Sequence, residues 1–90
     1  MNRIWPYAIR VAGILHYIKP SDIVSDEIIC ERESDNQYDQ NAIAVFMVVA
    51  GFRKKIGYLS KDIARQLSTE TFPHPGIVVW KGDKGIRIEI

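Results

Sequence analysis

The sequence predicts a mainly β fold, a small and partly closed barrel of about six short strands with one short helix. Three observations lead there. Short runs rich in Ile, Val, Tyr and Phe recur along the chain, each bounded by Gly, Pro, Asn or Asp. Only the stretch after Ser60 spaces its apolar residues at a helical period. A chain of 90 residues has room for one core, and closing the sheet removes the edges that an open one exposes.

Residues 4–15 read as a first strand, with Pro6 placing its start at an edge and Gly13 marking a bulge or bend. Lys19, Pro20, Ser21 and Asp22 make a turn, and residues 23–32 a second strand through Ile28, Ile29 and Cys30. After a polar loop over 34–40, residues 42–49 are almost wholly apolar, as expected of a central strand buried on both faces. Gly51 turns the chain into a fourth strand over 53–59, with Ile56 and Tyr58 facing one way and Lys55 and Gly57 the other.

Ser60 is an N-cap with Asp62 in the first turn, and Ile63, Ala64 and Leu67 share one face of a helix ending near Ser68. The run Pro73-His74-Pro75-Gly76 breaks the chain. Residues 77–80 then pair with 86–90 across a turn, the last strand alternating Ile86, Ile88 and Ile90 with Arg87 and Glu89. An OB-like or SH3-like barrel fits these elements best. A flat α+β sheet with the helix across one face is the alternative, because pairing order is not readable from periodicity.

Composition excludes several classes. With 47% hydrophobic and 26% charged residues the chain is of globular rather than disordered type, and residues 1–90 form a single domain. The longest apolar run, 42–51, is far short of the roughly 20 residues that span a bilayer, and no signal-peptide core is present. The single cysteine, Cys30, has no partner for an internal disulfide, which suits a reducing, cytoplasmic setting. Net charge is +1, so any binding to nucleic acid rests on local groups. Residues 1–45 hold four basic and seven acidic side chains and residues 46–90 eight and four, a difference that permits a basic face. No cofactor motif is found, and no phosphate-binding G-x-x-x-x-G-K-[ST] loop.

Two linked motifs carry the most information. The first is Arg32-Glu33-Ser34-Asp35-Asn36-Gln37-Tyr38-Asp39-Gln40-Asn41-Ala42-Ile43, and the second Gly57-Tyr58-Leu59-Ser60-Lys61 running into Ile63-Ala64 and Leu67. Their order and content resemble the HIRAN domain family, with its R-E-x-x-N-x-Y-D-x-N-A-I-x-V pattern followed by G-[YH]-L-x-K and a helix. The resemblance covers residues 8–67. It implies a modified OB-like barrel, known in fork-remodelling motor proteins as a module that grips the free 3′ end of single-stranded DNA. Here the module stands alone, a non-catalytic binding protein for repair or replication-related processes, and motor or nuclease action would come from a separate partner.

Tyr38 offers a flat face for a terminal base, a stack worth about 1–3 kcal/mol without sequence preference. Asp39 as a carboxylate only accepts hydrogen bonds, so it favours a terminal hydroxyl and repels a phosphate. Asn36 can bond a base edge or hold the turn, Asn41 reads as a turn residue, and Arg32 with Glu33 as an ion pair bracing the loop. The resemblance places Tyr17 and His16 as the aromatic pair of the family's first strand, Tyr58 as a ring with a polar tip, and Lys61 as a phosphate contact. Leu15 stands where a DNA-binding member carries an arginine. Arg53, Lys54 and Lys55 form a basic run suited to the backbone further from the end. Trp5 and Trp80 read as core or rim packing.

Two other classes compete. A metal-dependent nuclease would draw on Glu31, Glu33, Asp35 and Asp39, but no histidine or lysine accompanies them at fitting spacing. A small protein-interaction module, or a phage or mobile-element inhibitor that binds a nucleic-acid-processing partner, would use the seven acids against one base between Asp22 and Asp39 as a mimic of DNA charge. A monomer is expected in either case.

Overall fold

The computed structural model describes residues 3–90. Six antiparallel strands form one sheet curled into a half-barrel: β1 (Ile9–Arg10), β2 (Glu27–Arg32), β3 (Ile43–Val49), β4 (Phe52–Tyr58), β5 (His74–Gly82) and β6 (Gly85–Glu89). Their order across the sheet is β1-β6-β5-β2-β3-β4. The chain just past β1 meets β4, the other outermost strand, through one further pair. Ala12 donates to the Tyr58 carbonyl at 2.7 Å and the Tyr58 amide donates back to Ala12 at 3.0 Å, which closes the barrel at one end. Gly57 makes that approach possible, because a Cβ there would lie 2.5 Å from the Ala12 carbonyl oxygen.

The barrel interior holds Ile28, Cys30, Ile43, Val45, Ile56, Ile86 and Ile88, all fully buried. These residues recur at every second position because the pleat sends alternate side chains to one face. The helix α1 (Lys61–Gln66) follows β4, with the Ser60 hydroxyl accepting from the Ile63 amide at 3.4 Å. Ala64 and Leu67 are buried and Ile63 partly so, as the helical spacing predicts. Among the described residues no helix is long and apolar enough to cross a membrane.

Several boundaries differ from expectation. The first strand is only Ile9–Arg10, since Gly13 adopts φ 71° and turns the chain into a 3-10 helix over Ile14–His16. Ile4 and Trp5 still donate to the Ile90 carbonyl, at 3.2 and 3.3 Å. β2 starts at Glu27, because a second 3-10 turn, Pro20–Asp22, ends on Ile23. β3 is buried on both faces only at its start, over Ile43, Ala44 and Val45, and it lies beside the edge strand rather than at the centre. The Pro73–Gly76 breaker is in part strand: Pro75 pairs with Ile29 where β5 is bonded to β2 alone, so its missing donor leaves no gap on the β6 side.

The alternation expected in β4 also fails, for a definite reason. Val45 pairs with Gly57 and Phe46 with Lys55, leaving Ile56 as an extra residue in a β-bulge. Ile56 drops into the core, and Lys55 and Tyr58 emerge on the same face.

Candidate nucleic-acid interface

The closed end of the barrel carries an open groove of about 790 Å3. Its far wall is the loop between β2 and β3, with Asn36, Tyr38 and Asp39. Its floor is Tyr58 and Lys55 of β4, and its near wall Tyr17 after the first 3-10 turn and Lys61 at the start of α1. Seven of the eight expected residues thus share one site, while His16 is exposed and does not line it. Leu15 is turned toward a separate hollow with Lys19 and Lys81.

The loop is fixed from within. Asn36 Oδ1 accepts from the amides of Tyr38 at 2.9 Å and Asp39 at 3.0 Å, while its Nδ2 donates to Glu33 Oε1 at 3.0 Å. The Asp39 carboxylate accepts the Asn41 amide at 2.9 Å through Oδ1, and the Asp39 carbonyl accepts from Ala42 at 3.1 Å. These are the short side-chain-to-backbone bonds that Asn and Asp make in turns. With the backbone tied at both sides, the Tyr38 side chain is left 89% exposed.

The floor is a closed polar network. Glu33 Oε2 accepts from Lys55 Nζ at 2.5 Å and Oε1 from the Tyr58 hydroxyl at 2.7 Å, and that hydroxyl accepts in turn from Lys55 at 3.1 Å. The Lys55 ammonium holds the Glu33 carboxyl below its usual range, against the opposing effect of burial. Lys55 is raised, chiefly by its bond to Glu33, and Tyr58 is raised by burial and by its place against the Glu33 carboxylate. Lys55 also stands 5.1 Å from the centre of the Tyr58 ring, and the centre of the Tyr17 ring lies 6.2 Å from that of Tyr58 at a tilt of 59°. The floor therefore presents ring surfaces, its donors being already engaged.

Glu33 is the residue that sequence reasoning misplaced. Arg32 and Glu33 are not a pair, because Arg32 ends β2 and Glu33 continues the extended chain, where successive side chains point to opposite faces. Arg32 donates to the carbonyls of Leu67 at 2.6 Å and Glu70 at 3.1 Å and lies over Phe72, while Glu33 reaches the groove. The period-2 rule applied at positions 32 and 33 was the available signal. The basic run is likewise divided: Arg53 bonds Glu31 at 2.5 Å and Lys55 bonds Glu33. The acidic stretch is partly neutralised by the same two pairs, and no group of three His, Cys, Asp or Glu among the described residues is placed to hold a metal ion.

The groups left free to meet a ligand include the Tyr38 face, the exposed part of Tyr17, the second oxygen of Asp39 and the Lys61 ammonium, with exposed Asp35 and Gln37 also lining the groove. Two stacking surfaces, acceptor oxygens and one cation suit a nucleotide. No curated protein and no solved structure matches the chain. The family model described as HIRAN domain matches residues 8–79, and HIRAN domains are DNA-binding modules. Both motifs that form the groove lie within that match, and the chain belongs to the HIRAN domain family.

Proposed function

We propose that the groove receives the free 3′-hydroxyl end of single-stranded DNA, as a non-catalytic module in repair or replication-related processing. The observation that carries this reading is the conjunction of an exposed Tyr38 ring with the Asp39 carboxylate on a loop pinned by Asn36. A terminal base rests on Tyr38. Its 3′-hydroxyl donates to Asp39, and Lys61 meets a phosphate upstream. A 3′-phosphate at the same place brings negative charge against the carboxylate and is rejected. Motor or nuclease action is the work of a separate partner, and the protein acts as a monomer in the cytoplasm.

Two stacks and one ion contact, offset by the ordering of a flexible strand, place the affinity near micromolar, about 8 kcal/mol. Fluorescence polarisation with short oligonucleotides ending in 3′-hydroxyl or 3′-phosphate tests the reading. The hydroxyl form binds and the phosphate form does not, and Asp39→Asn narrows the gap between them more than it weakens the hydroxyl form. Equal binding of both ends by the unmodified protein refutes end recognition. Capture of a protein partner with no DNA binding favours the interaction module instead.

A further inference from the structure

A second bulge shapes the opposite half of the barrel. In β5 Val78 pairs with Ile88 and Trp80 with Arg87, so Val79 is the extra residue. Counted strictly from Val78, which rests on the core, Trp80 would point inward; the bulge sends it out, 54% exposed, onto the face that carries Arg87. Arg87 pairs in turn with Arg10 of β1. Directly paired residues share a face, so Arg10, Arg87 and Trp80 form one row across three strands.

Like charges placed opposite each other destabilise a sheet, and this row contains no carboxylate to relieve them. Glu89, the acid on the same strand, bonds Arg3 instead. Among the described residues neither Arg10, Arg87 nor the neighbouring Lys84 has an acidic partner within ion-pair distance. The two glycines of the hairpin complete the shape. A Cβ at Gly82 would run into the Trp80 ring, and one at Gly85 would come within 3.6 Å of Arg10 Nε, so ring and guanidinium both lie low over the turn. A hollow of about 130 Å3 separates them, lined by Arg10, Trp80, Lys84 and Arg87.

We propose that this row of Trp80, Arg87 and Arg10 is a second contact for single-stranded nucleic acid, one that holds the strand without regard to its end. An exposed indole stacks on any unpaired base, and flanking guanidiniums bond phosphate oxygens as forks. In duplex DNA the base faces are covered, so the ring selects the unpaired form. The row shares no lining residue with the groove, and its two arginines have no acid within ion-pair distance among the described residues.

Covalently closed single-stranded DNA circles, which have no end, provide the probe. Fluorescently labelled and titrated at low salt with the full chain, with polarisation as readout, they are expected to bind. Trp80→Ala weakens that binding about tenfold, whereas Trp80→Phe keeps most of it and shows that the fold survives at this position. Arg10→Gln with Arg87→Gln lowers the slope of log K against log salt by about 1.4, the share of two phosphate contacts on a single strand. Tyr38→Ala leaves the circles unaffected, which separates this site from the groove whatever the 3′-end comparison gives. Failure of the circles to bind, or binding with unchanged affinity and slope in the Trp80 and arginine variants, overturns the proposal. So does capture of anionic phospholipid vesicles, but not of the circles, through the same residues.

Discussion

Glu33, just past the end of β2, and Tyr58, at the end of β4, are joined by a hydrogen bond of 2.7 Å from the phenol to the carboxylate, with Lys55 bonded to both. The depressed Glu33 carboxyl contributes stability that is present above its ordinary value of 4.5 and lost as pH falls through its lower folded value. Lys55 and Tyr58 are raised, so their contribution is present below their ordinary values of 10.5 and 10.0 and lost as pH rises beyond them. Urea unfolding across pH should show a plateau between those limits. Glu33→Gln should flatten the acid limb, and an acid limb identical to that of the unmodified protein would contradict the network.

Tyr38 touches little, so Tyr38→Ala should change the stability by less than about 0.5 kcal/mol. The same change should weaken binding of a 3′-hydroxyl oligonucleotide by about tenfold, the value of one stack. Polarisation and thermal melting on one preparation read both quantities. A large fall in melting temperature would mean that the ring is structural.

Asn36 behaves in the opposite way, because its amide is used entirely within the loop. Asn36→Ala should cost about 1–2 kcal/mol, leaving the Tyr38 and Asp39 amides without acceptors. Hydrogen exchange at those two amides should accelerate before that of the barrel strands.

Gly57→Ala places a methyl group against the Ala12 carbonyl and the Val11 side chain. The closing pair must then separate, at a cost of roughly 1–3 kcal/mol typical of overpacking. Retention of full stability in urea would show that the seam tolerates displacement.

Burial pushes the Cys30 thiol up to about 12. The thiolate is the reactive form, so iodoacetamide at pH 8 should label the folded protein only as fast as it unfolds, and completely in denaturant.

Much of this architecture is legible in the chain. The alternation of Ile86, Ile88 and Ile90, the Ser60 cap and the Gly82–Gly85 hairpin are local patterns with local causes, and each appears where expected. The two motifs also meet in one groove, as their chemistry suggests. What escaped reading depends on partners. Neither bulge can be recognised in its own strand, since an extra residue at Ile56 or Val79 is defined only by the strand opposite, and each one reverses the facing of the residues beyond it. The shortened first strand is a different case: Gly13 signalled a bend, but whether it kinks the strand or ends it is decided by the turn that Ile14 starts.

The seam at Ala12 and Tyr58 has a mechanical consequence. Tyr17 follows one side of it and Tyr58 belongs to the other, so that pair of backbone bonds helps to hold the two rings beside each other. A molecule wedged between the rings and the loop acts as a staple across the weakest joint of the cylinder. Occupancy and resistance to unzipping then rise together, and heat tolerance becomes a gauge of what the cleft contains.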